Sequence, residues 1–574
     1  MIVKIKSIEK KDLLLLFSVL IISILSSPPF IMKQLYIGED MLYHFLRIEE
    51  FANNIAHGNI FPHIYENALG GYGYGSAFFY PEVMLIIPAI FYMLGLDVDV
   101  AVNTSIIIYN ISTILIAYYS LSVFLKDIFS SRKDIDISWL SLLGALAYGV
   151  FPYRLYTLFY RGALNEFIAI SFIPLALLSM YKIFIKKEMN YWKLLSLSFT
   201  LLLLSHLSTT LILGIVGFIL LLINIPLIFD LKFIKSILSA IFCTLLFTAY
   251  FLFPMIEQML SNEFFYSSLP KLDDITIYPI QTIDKQTFSV IGEGFNQLIV
   301  VLLNIFIIFS LTMIIKKYKE KVKAEKGLYV LASAFILVYL FLMLTNLFPW
   351  EMVVDIFPVV QQIQFPFRFF VLGGIPFSLI ILFSIPKIEK QSYTLKLMFV
   401  LILSLIPFLT ISGERLEDLS IKSEELPYVD KSWCLVFGEY LPSKIDTLYE
   451  DYIKERGNVI IAKKENGDIE RVNYIKDEAY YLLPRKISNV KSLELPLVYY
   501  KGYQIYINDE KFKINQSDNG FVEVLNVGDV NQIEVKYKGT LIQKISTIVT
   551  IFYLIIVLSK GIKVLRGYKN VRVV

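Results

Sequence analysis

Asp40, His44 and Arg47 stand at i, i+4 and i+7 in the run Gly38-Glu39-Asp40-Met41-Leu42-Tyr43-His44-Phe45-Leu46-Arg47. In a helix that spacing places all three on one face, where they could converge on a single polar ligand. A carboxylate at this place, Asp40 or its neighbour Glu39, has the chemistry of a general base toward a hydroxyl. The bland alternative is a solvated, self-paired interfacial helix.

A second group is Tyr153-Arg154 followed by Tyr160-Arg161-Gly162-Ala163-Leu164-Asn165-Glu166, with Glu166 at the mouth of an apolar stretch. Charges at such boundaries are costly and tend to be functional. The Arg161 guanidinium suits a forked contact with phosphate oxygens, and Glu166 could orient it or bind sugar hydroxyls. A local ion pair is the structural alternative. His206, in Leu204-Ser205-His206-Leu207-Ser208, suits a ligand or proton shuttle, or a hydrogen-bonded packing role. Arg368 follows Gln364-Phe365-Pro366-Phe367 at the start of a further apolar stretch, where it could snorkel to lipid phosphates or meet a lipid-phosphate substrate at the same depth. The run Gly70-Gly71-Tyr72-Gly73-Tyr74-Gly75 lacks the Gly-Lys-Ser/Thr ending of a phosphate loop; glycine freedom and Tyr72 stacking on a sugar or at an interface fit better. No HExxH, Walker or local Ser-His-Asp pattern is found.

The elements that position these residues are set by composition. The 574 residues are 56% hydrophobic and 18% charged, with mean hydropathy +0.62, more apolar surface than a soluble core could hide. A net charge of +3 does not suggest nucleic acid. Cys243 and Cys434 suggest neither a disulfide framework nor a metal-ligand spacing. Spans of roughly 20 apolar residues fall near 13–31, 101–125, 138–153, 166–184, 193–206, 209–229, 233–253, 297–315, 327–346, 367–385, 394–411 and 542–560, about twelve in all. The first is read as a retained anchor, because no A-x-A cleavage pattern follows it. The run 80–95 decides orientation. Charge places it as a helix at the outer interface, because the basic loops around Lys126/Arg132/Lys133, Lys182/Lys186/Lys187, Lys232/Lys235, Lys316 to Lys326 and Lys387/Lys390 then share the N-terminal, cytoplasmic side with the tail Lys560 to Arg572.

The expected architecture is a polytopic α-helical membrane protein with both termini cytoplasmic. A transmembrane domain over 1–411 has outer loops 32–100, 154–165, 254–296 and 347–366. A small β-rich extracytoplasmic domain follows over 412–541, with strand-like runs at 504–507, 521–524 and 533–537, and 542–574 forms the last helix and basic tail. Internal repeats are not evident, which disfavours a transporter.

Taken in order, Glu39-Asp40 with His44 and Arg47, Gly71-Tyr72-Gly73, Phe79-Tyr80-Pro81, Arg161-Gly162-Ala163 with Glu166, Gln364-Phe365-Pro366 with Arg368, Glu439-Tyr440-Leu441-Pro442, and Tyr499-Tyr500-Lys501-Gly502-Tyr503 make a pattern. It resembles bacterial YfhO-like proteins and the membrane family labelled "6-pyruvoyl-tetrahydropterin synthase-related", within the GT-C class of membrane glycosyltransferases. Gly75-Ser76 and Phe367 depart from it, where proline and tryptophan are common, and neither removes an ionisable group. The resemblance implies sugar transfer at the outer face of a bacterial plasma membrane, from a polyprenyl-phosphate donor to a cell-envelope glycan, teichoic-acid-like polymer or glycolipid. It places Asp40, Glu39 and Glu166 as catalytic residues and His44, Arg47, Tyr72, Tyr80, Arg161, His206 and Arg368 as substrate-binding ones. A divalent metal, Mg or Mn, bridging Asp40 and Glu166 is compatible with the resemblance and not required by the sequence. The competing classes are a transporter or flippase for lipid-linked glycans and a non-catalytic envelope scaffold.

Overall fold

A computed structural model describes residues 10–27, 35–36, 38–130, 136–265, 349–384, 398–405 and, with short breaks, 420–571. Its apolar runs are helical, because in hydrocarbon every backbone N–H and C=O must find a partner within the chain. Among the described residues four helices are long and apolar enough to cross a membrane: Val98–Ile128, Leu164–Ile185, Leu231–Ser261 and Leu541–Lys560. Shorter apolar helices are Leu16–Leu25, Val83–Met93, Leu207–Ile223 and Phe367–Leu382. The chain is therefore a polytopic α-helical membrane protein with a β-rich region near its C-terminus.

The count of about twelve spans is corrected by these lengths. The run 138–153 forms only Ile137–Gly149, since Pro152 opens a separate short helix and holds Phe151 extended. Thirteen residues rise roughly 20 Å, less than a bilayer core of about 30 Å. The run 193–206 likewise gives Trp192–Leu203, which stops before Ser205-His206. The runs 297–315 and 327–346 lie outside the described residues, and 394–411 is described only at 398–405. The interfacial candidate 80–95 contains helix Ile86–Met93, far too short to span.

The chain divides into two compact units that interleave in sequence, 1–44, 87–241 and 270–429 in the first, 45–86, 242–269 and 430–574 in the second. In the first, Val98–Ile128 packs on Ile137–Gly149 at glycine contacts. A Cβ at Gly144 would meet Leu121 Cδ1 at 2.8 Å, and one at Gly149 would meet Ile114 Cγ1 at 2.8 Å. Small residues at such places let helix backbones approach in a membrane protein.

The second unit carries an eight-stranded antiparallel sheet in the order Ile469–Val472, Ile460–Lys464, Tyr480–Val498, Phe521–Tyr537, Tyr503–Ile507, Glu510–Phe512. Ile475–Asp477 pairs with the 480–498 strand and Ile514–Gln516 with the 521–537 strand. The three strand-like runs read from the sequence all lie in strands. Asn508 and Asp509, with φ +50° and +67°, make the two-residue hairpin turn between Ile507 and Glu510. Ile460, Leu493, Leu495, Val522, Val524 and Ile533 form part of the core.

Arg456, at the end of helix Tyr449–Arg456, is buried against this sheet. Its Nε and Nη2 donate to Glu494 Oε1 at 3.2 and 2.9 Å, and its Nη1 donates to the Tyr72 hydroxyl at 2.6 Å. Arg456→Ala strands the buried Glu494 charge, and the expected cost is about 2–3 kcal/mol. Limited proteolysis of the purified protein reads this as faster cleavage within 430–540 than in wild type.

Candidate functional site

Residues 38–44 and 161–166 meet through backbone before any side chain is involved. Gly38 and Gly162 both take left-handed φ, +52° and +64°. They touch so closely that a Cβ on Gly38 would lie 2.7 Å from Gly162 N. This approach lets the N–H groups of Glu39 and Asp40 both donate to the Arg161 carbonyl, at 3.1 and 2.8 Å. Asp40 O then accepts from His44 N at 3.1 Å, opening the helix Met41–Ala56. The His44 ring closes the junction: Nε2 accepts the N–H of Leu164 at 3.2 Å, the first residue of helix Leu164–Ile170. That N–H has no partner within its own helix.

Glu166 lies in the first turn of the same helix and is fully buried. Its Oε2 accepts from Arg161 Nη1 at 2.5 Å and its Oε1 from the Tyr153 hydroxyl at 2.7 Å. Arg368 Nε approaches Oε2 at 3.7 Å. Arg368 is itself held through Nη1, which donates to Gln364 Oε1 at 2.6 Å, Ile363 O at 3.0 Å and Ser208 Oγ at 3.1 Å. Phe365 and Phe367 stack on one another and lie 5.9 and 5.5 Å from the Arg161 guanidinium, Phe365 also 5.2 Å from that of Arg368. Two cations thus share one fully buried carboxylate and a half-buried aromatic pair.

Asp40 is half-buried, and among the described residues its carboxylate makes no side-chain hydrogen bond or ion pair. Burial pushes its pKa up to about 6; the Arg161 charge opposes this, and Glu39 reinforces it. For Arg161, burial works against the charge, but Glu166, Tyr153 and Asp40 outweigh it and leave its pKa well above the ordinary value. The arrangement can therefore take up a proton at Asp40 near neutral pH and hold an anion against guanidinium groups already fixed in place.

His206 caps the helix Leu207–Ile223, its Nδ1 accepting from Thr209 N at 3.4 Å and contacting Thr209 Oγ1 at 2.9 Å. Glu39 is exposed beside Asp40. Asp40, His44, Arg161, Glu166, His206 and Arg368 all belong to the first unit, whereas Arg47, Tyr72 and Tyr80 belong to the second. Arg47 Nε and Nη2 there reach Glu82 Oε1 at 3.0 and 2.9 Å, with the Tyr80 ring 4.2 Å from the guanidinium. Tyr72 is 2% exposed, and its hydroxyl donates to Gly457 O at 2.5 Å. Sequence reasoning missed the roles of Tyr153, Gly38, Ser208 and Glu82. The glycine before Glu39-Asp40 and the glycine after Arg161 were the available signal for one of them.

A cation bridging Asp40 and Glu166 does not fit. Both Glu166 oxygens are taken by Arg161 and Tyr153, and two guanidinium groups already face that carboxylate. No group of three or more metal-ligating side chains is found among the described residues.

Gly38→Ala puts a methyl into the Gly162 backbone at a φ that L-residues disfavour. The expected cost is about 1–3 kcal/mol, with Asp40 displaced from Arg161. A lower melting temperature of the purified variant checks it, and Gly58→Ala, with nothing within 4 Å at a similar positive φ, is the control for backbone strain alone.

No family model matches the chain. It is similar to an uncharacterised protein of Lactococcus lactis subsp. cremoris, 25% identical over 574 residues and matched over 88% of each chain. Among solved structures it is similar to the cryo-EM structure of arabinofuranosyltransferase AftD from mycobacteria, at 13% identity and TM-score 0.41 over 71% of this chain. The chain spans 28% of that protein's length. So slight a likeness carries no argument about the chemistry.

Proposed function

We propose that the protein is a membrane glycosyltransferase of the GT-C type, related to YfhO-like proteins. It takes a sugar from a polyprenyl-phosphate donor at the outer face of a bacterial plasma membrane and passes it to a cell-envelope glycan, teichoic-acid-like polymer or glycolipid. One observation carries the reading: a half-buried Asp40 carboxylate without a side-chain partner among the described residues, beside the fixed guanidinium of Arg161. Asp40 accepts the proton of the acceptor hydroxyl. The hydroxyl oxygen attacks the anomeric carbon with inversion while the bond from that carbon to the lipid phosphate breaks, and Arg161 and Arg368 neutralise the departing phosphate. Glu166 holds both guanidinium groups in place, and no step runs through a metal. His44 and His206 act on this reading as positioning residues. Both termini lie in the cytoplasm.

A flippase for lipid-linked glycans is favoured by one observation. Arg154 is fully buried, with Nη1 on Asn110 Oδ1 at 2.8 Å and Nη2 on Thr113 Oγ1 at 2.9 Å, halfway along Val98–Ile128. Charge at such a depth is the mark of a translocation path. Against it, the guanidinium is sealed from solvent by Phe167, 3.9 Å from the ring centroid, and by its own hydrogen bonds.

The test is sugar transfer in proteoliposomes holding purified protein, polyprenyl-phosphate sugars and envelope-derived acceptors, with Asp40→Asn beside wild type. Transfer by wild type that collapses in the variant supports the enzyme. Labelled lipid-linked glycan that moves between leaflets with no transfer from any donor supports the flippase.

A further inference from the structure

Gln364 stands in a backbone conformation that L-residues rarely adopt, with φ +67° and ψ −46°. Phe365 N donates to Ile363 O across it at 2.8 Å, which closes a γ-turn of the rare, strained hand. Glycine would take that φ without steric cost, yet the position carries a long amide side chain. Strain of this kind persists only where the surroundings hold it, and it collects at functional sites. Here Arg368 holds it. Its Nη1 donates to Gln364 Oε1 at 2.6 Å, Ile363 O at 3.0 Å and Ser208 Oγ at 3.1 Å, and Ser208 Oγ donates in turn to Gln362 O at 3.0 Å.

The clamp treats the three guanidinium nitrogens differently. Nη1 has two N–H groups and three acceptors around it, so that nitrogen is fully taken. Nε is sealed from solvent and faces Glu166 Oε2 at 3.7 Å, too far for a hydrogen bond. Nη2 has no hydrogen-bond partner among the described residues either, but unlike Nε it is not sealed. Because the guanidinium is planar and rigid, whatever grips Nη1 also sets where Nη2 points. The Gln364 amide makes the shortest of the three contacts, and its turn brings the Ile363 carbonyl to the same nitrogen. All these residues belong to the first unit.

We infer that Gln364 is a positioning residue for the transfer: its strained turn and its amide hold Arg368 by Nη1, so that Nη2 is presented to the phosphate of the lipid-linked sugar. The inference rests on the reading that Arg368 meets that phosphate. Gln364 itself does not touch the substrate and acts through the guanidinium. A turn with only an architectural task would be served as well by glycine, which takes this φ freely.

Two variants of the full-length protein separate the amide from the backbone. Gln364→Met keeps the side-chain length and the strained φ but removes the acceptor, whereas Gln364→Gly removes the acceptor and relieves the φ. Both are expected to lower sugar transfer about tenfold, the scale of one hydrogen bond to a charged group, while Gln364→Gly melts above Gln364→Met. Affinity for geranyl phosphate, titrated calorimetrically in detergent, is expected to fall by about the same factor in both. In an Arg368→Lys background, which keeps the charge but not the fork, adding Gln364→Met is expected to change transfer and binding by no more than about twofold. Single variants that transfer and bind like wild type overturn the positioning role and leave the transferase reading standing. A further tenfold loss in the Arg368→Lys background overturns it too, as does Gln364→Gly melting below Gln364→Met. Wild type that binds geranyl phosphate in a Gln364-dependent way but transfers sugar from no donor removes the transferase reading and keeps Gln364 as the residue that positions an anion-binding Arg368. Geranyl phosphate that fails to bind wild type at millimolar concentration overturns the inference.

Discussion

Asp40→Asn is expected to lower sugar transfer by about 10²- to 10⁴-fold, the range that a positioned general base supplies. The fold should survive, since the Asp40 side chain contributes no hydrogen bond among the described residues and its backbone N–H to Arg161 O is kept. The pH profile gives the sharper reading. A base works when deprotonated, so wild-type rate rises with pH, and the limb should centre near the raised pKa of about 6 rather than near 4. In Asp40→Asn that limb disappears together with most of the rate. Stability runs the other way. A carboxyl whose pKa is raised on folding favours the folded state below its unfolded pKa, and that advantage is lost as pH rises through about 6. At pH 8 the Asn variant should melt no lower than wild type. A variant that keeps wild-type turnover, or one that melts well below wild type at pH 8, removes Asp40 from the base role.

Glu166→Ala is expected to unfold the first unit more readily than any other single change proposed here. It leaves Arg161 and Arg368, both buried, without the carboxylate they share, and also strips the Tyr153 hydroxyl of its acceptor. Breaking a buried pair from one side costs about 3–5 kcal/mol, because the remaining charge stays desolvated. Glu166→Gln keeps the shape and an acceptor oxygen and should recover part of that loss. The double replacement Glu166→Leu with Arg161→Met should melt above Glu166→Ala, since it removes one of the stranded cations along with the anion. Thermal unfolding in detergent orders the three variants, and a Glu166→Ala protein that melts with wild type would mean that the cluster is solvated rather than buried.

The sequence alone determined that this is a membrane chain with a β-rich region near its C-terminus. Apolar runs and strand alternation are local patterns, and 504–507 and 521–524 form strands because alternation matches the pleat. It also determined which charges need partners, because a guanidinium such as Arg161 or Arg368 beside an apolar stretch is costly wherever it lies. The pairing Arg161 with Glu166 was within reach as well, five residues apart and both at one helix mouth.

What only the tertiary structure decided is which partner each of the other charges finds. Spacing placed Asp40, His44 and Arg47 on one helical face, yet a shared face fixes direction and not destination. Arg47 goes to Glu82, 35 residues on, and His44 to the Leu164 N–H, 120 residues on. Helix lengths were decided in the same way. Hydropathy sees the run 138–153 as continuous, while the backbone ends one helix at Gly149 and begins another at Pro152, where the ring fixes φ and removes a donor. The meeting of Gly38 with Gly162 depends on two backbones 124 residues apart adopting left-handed φ at the point of contact. Composition and spacing carry no record of such a contact, because its energy arises only when the chain has already folded.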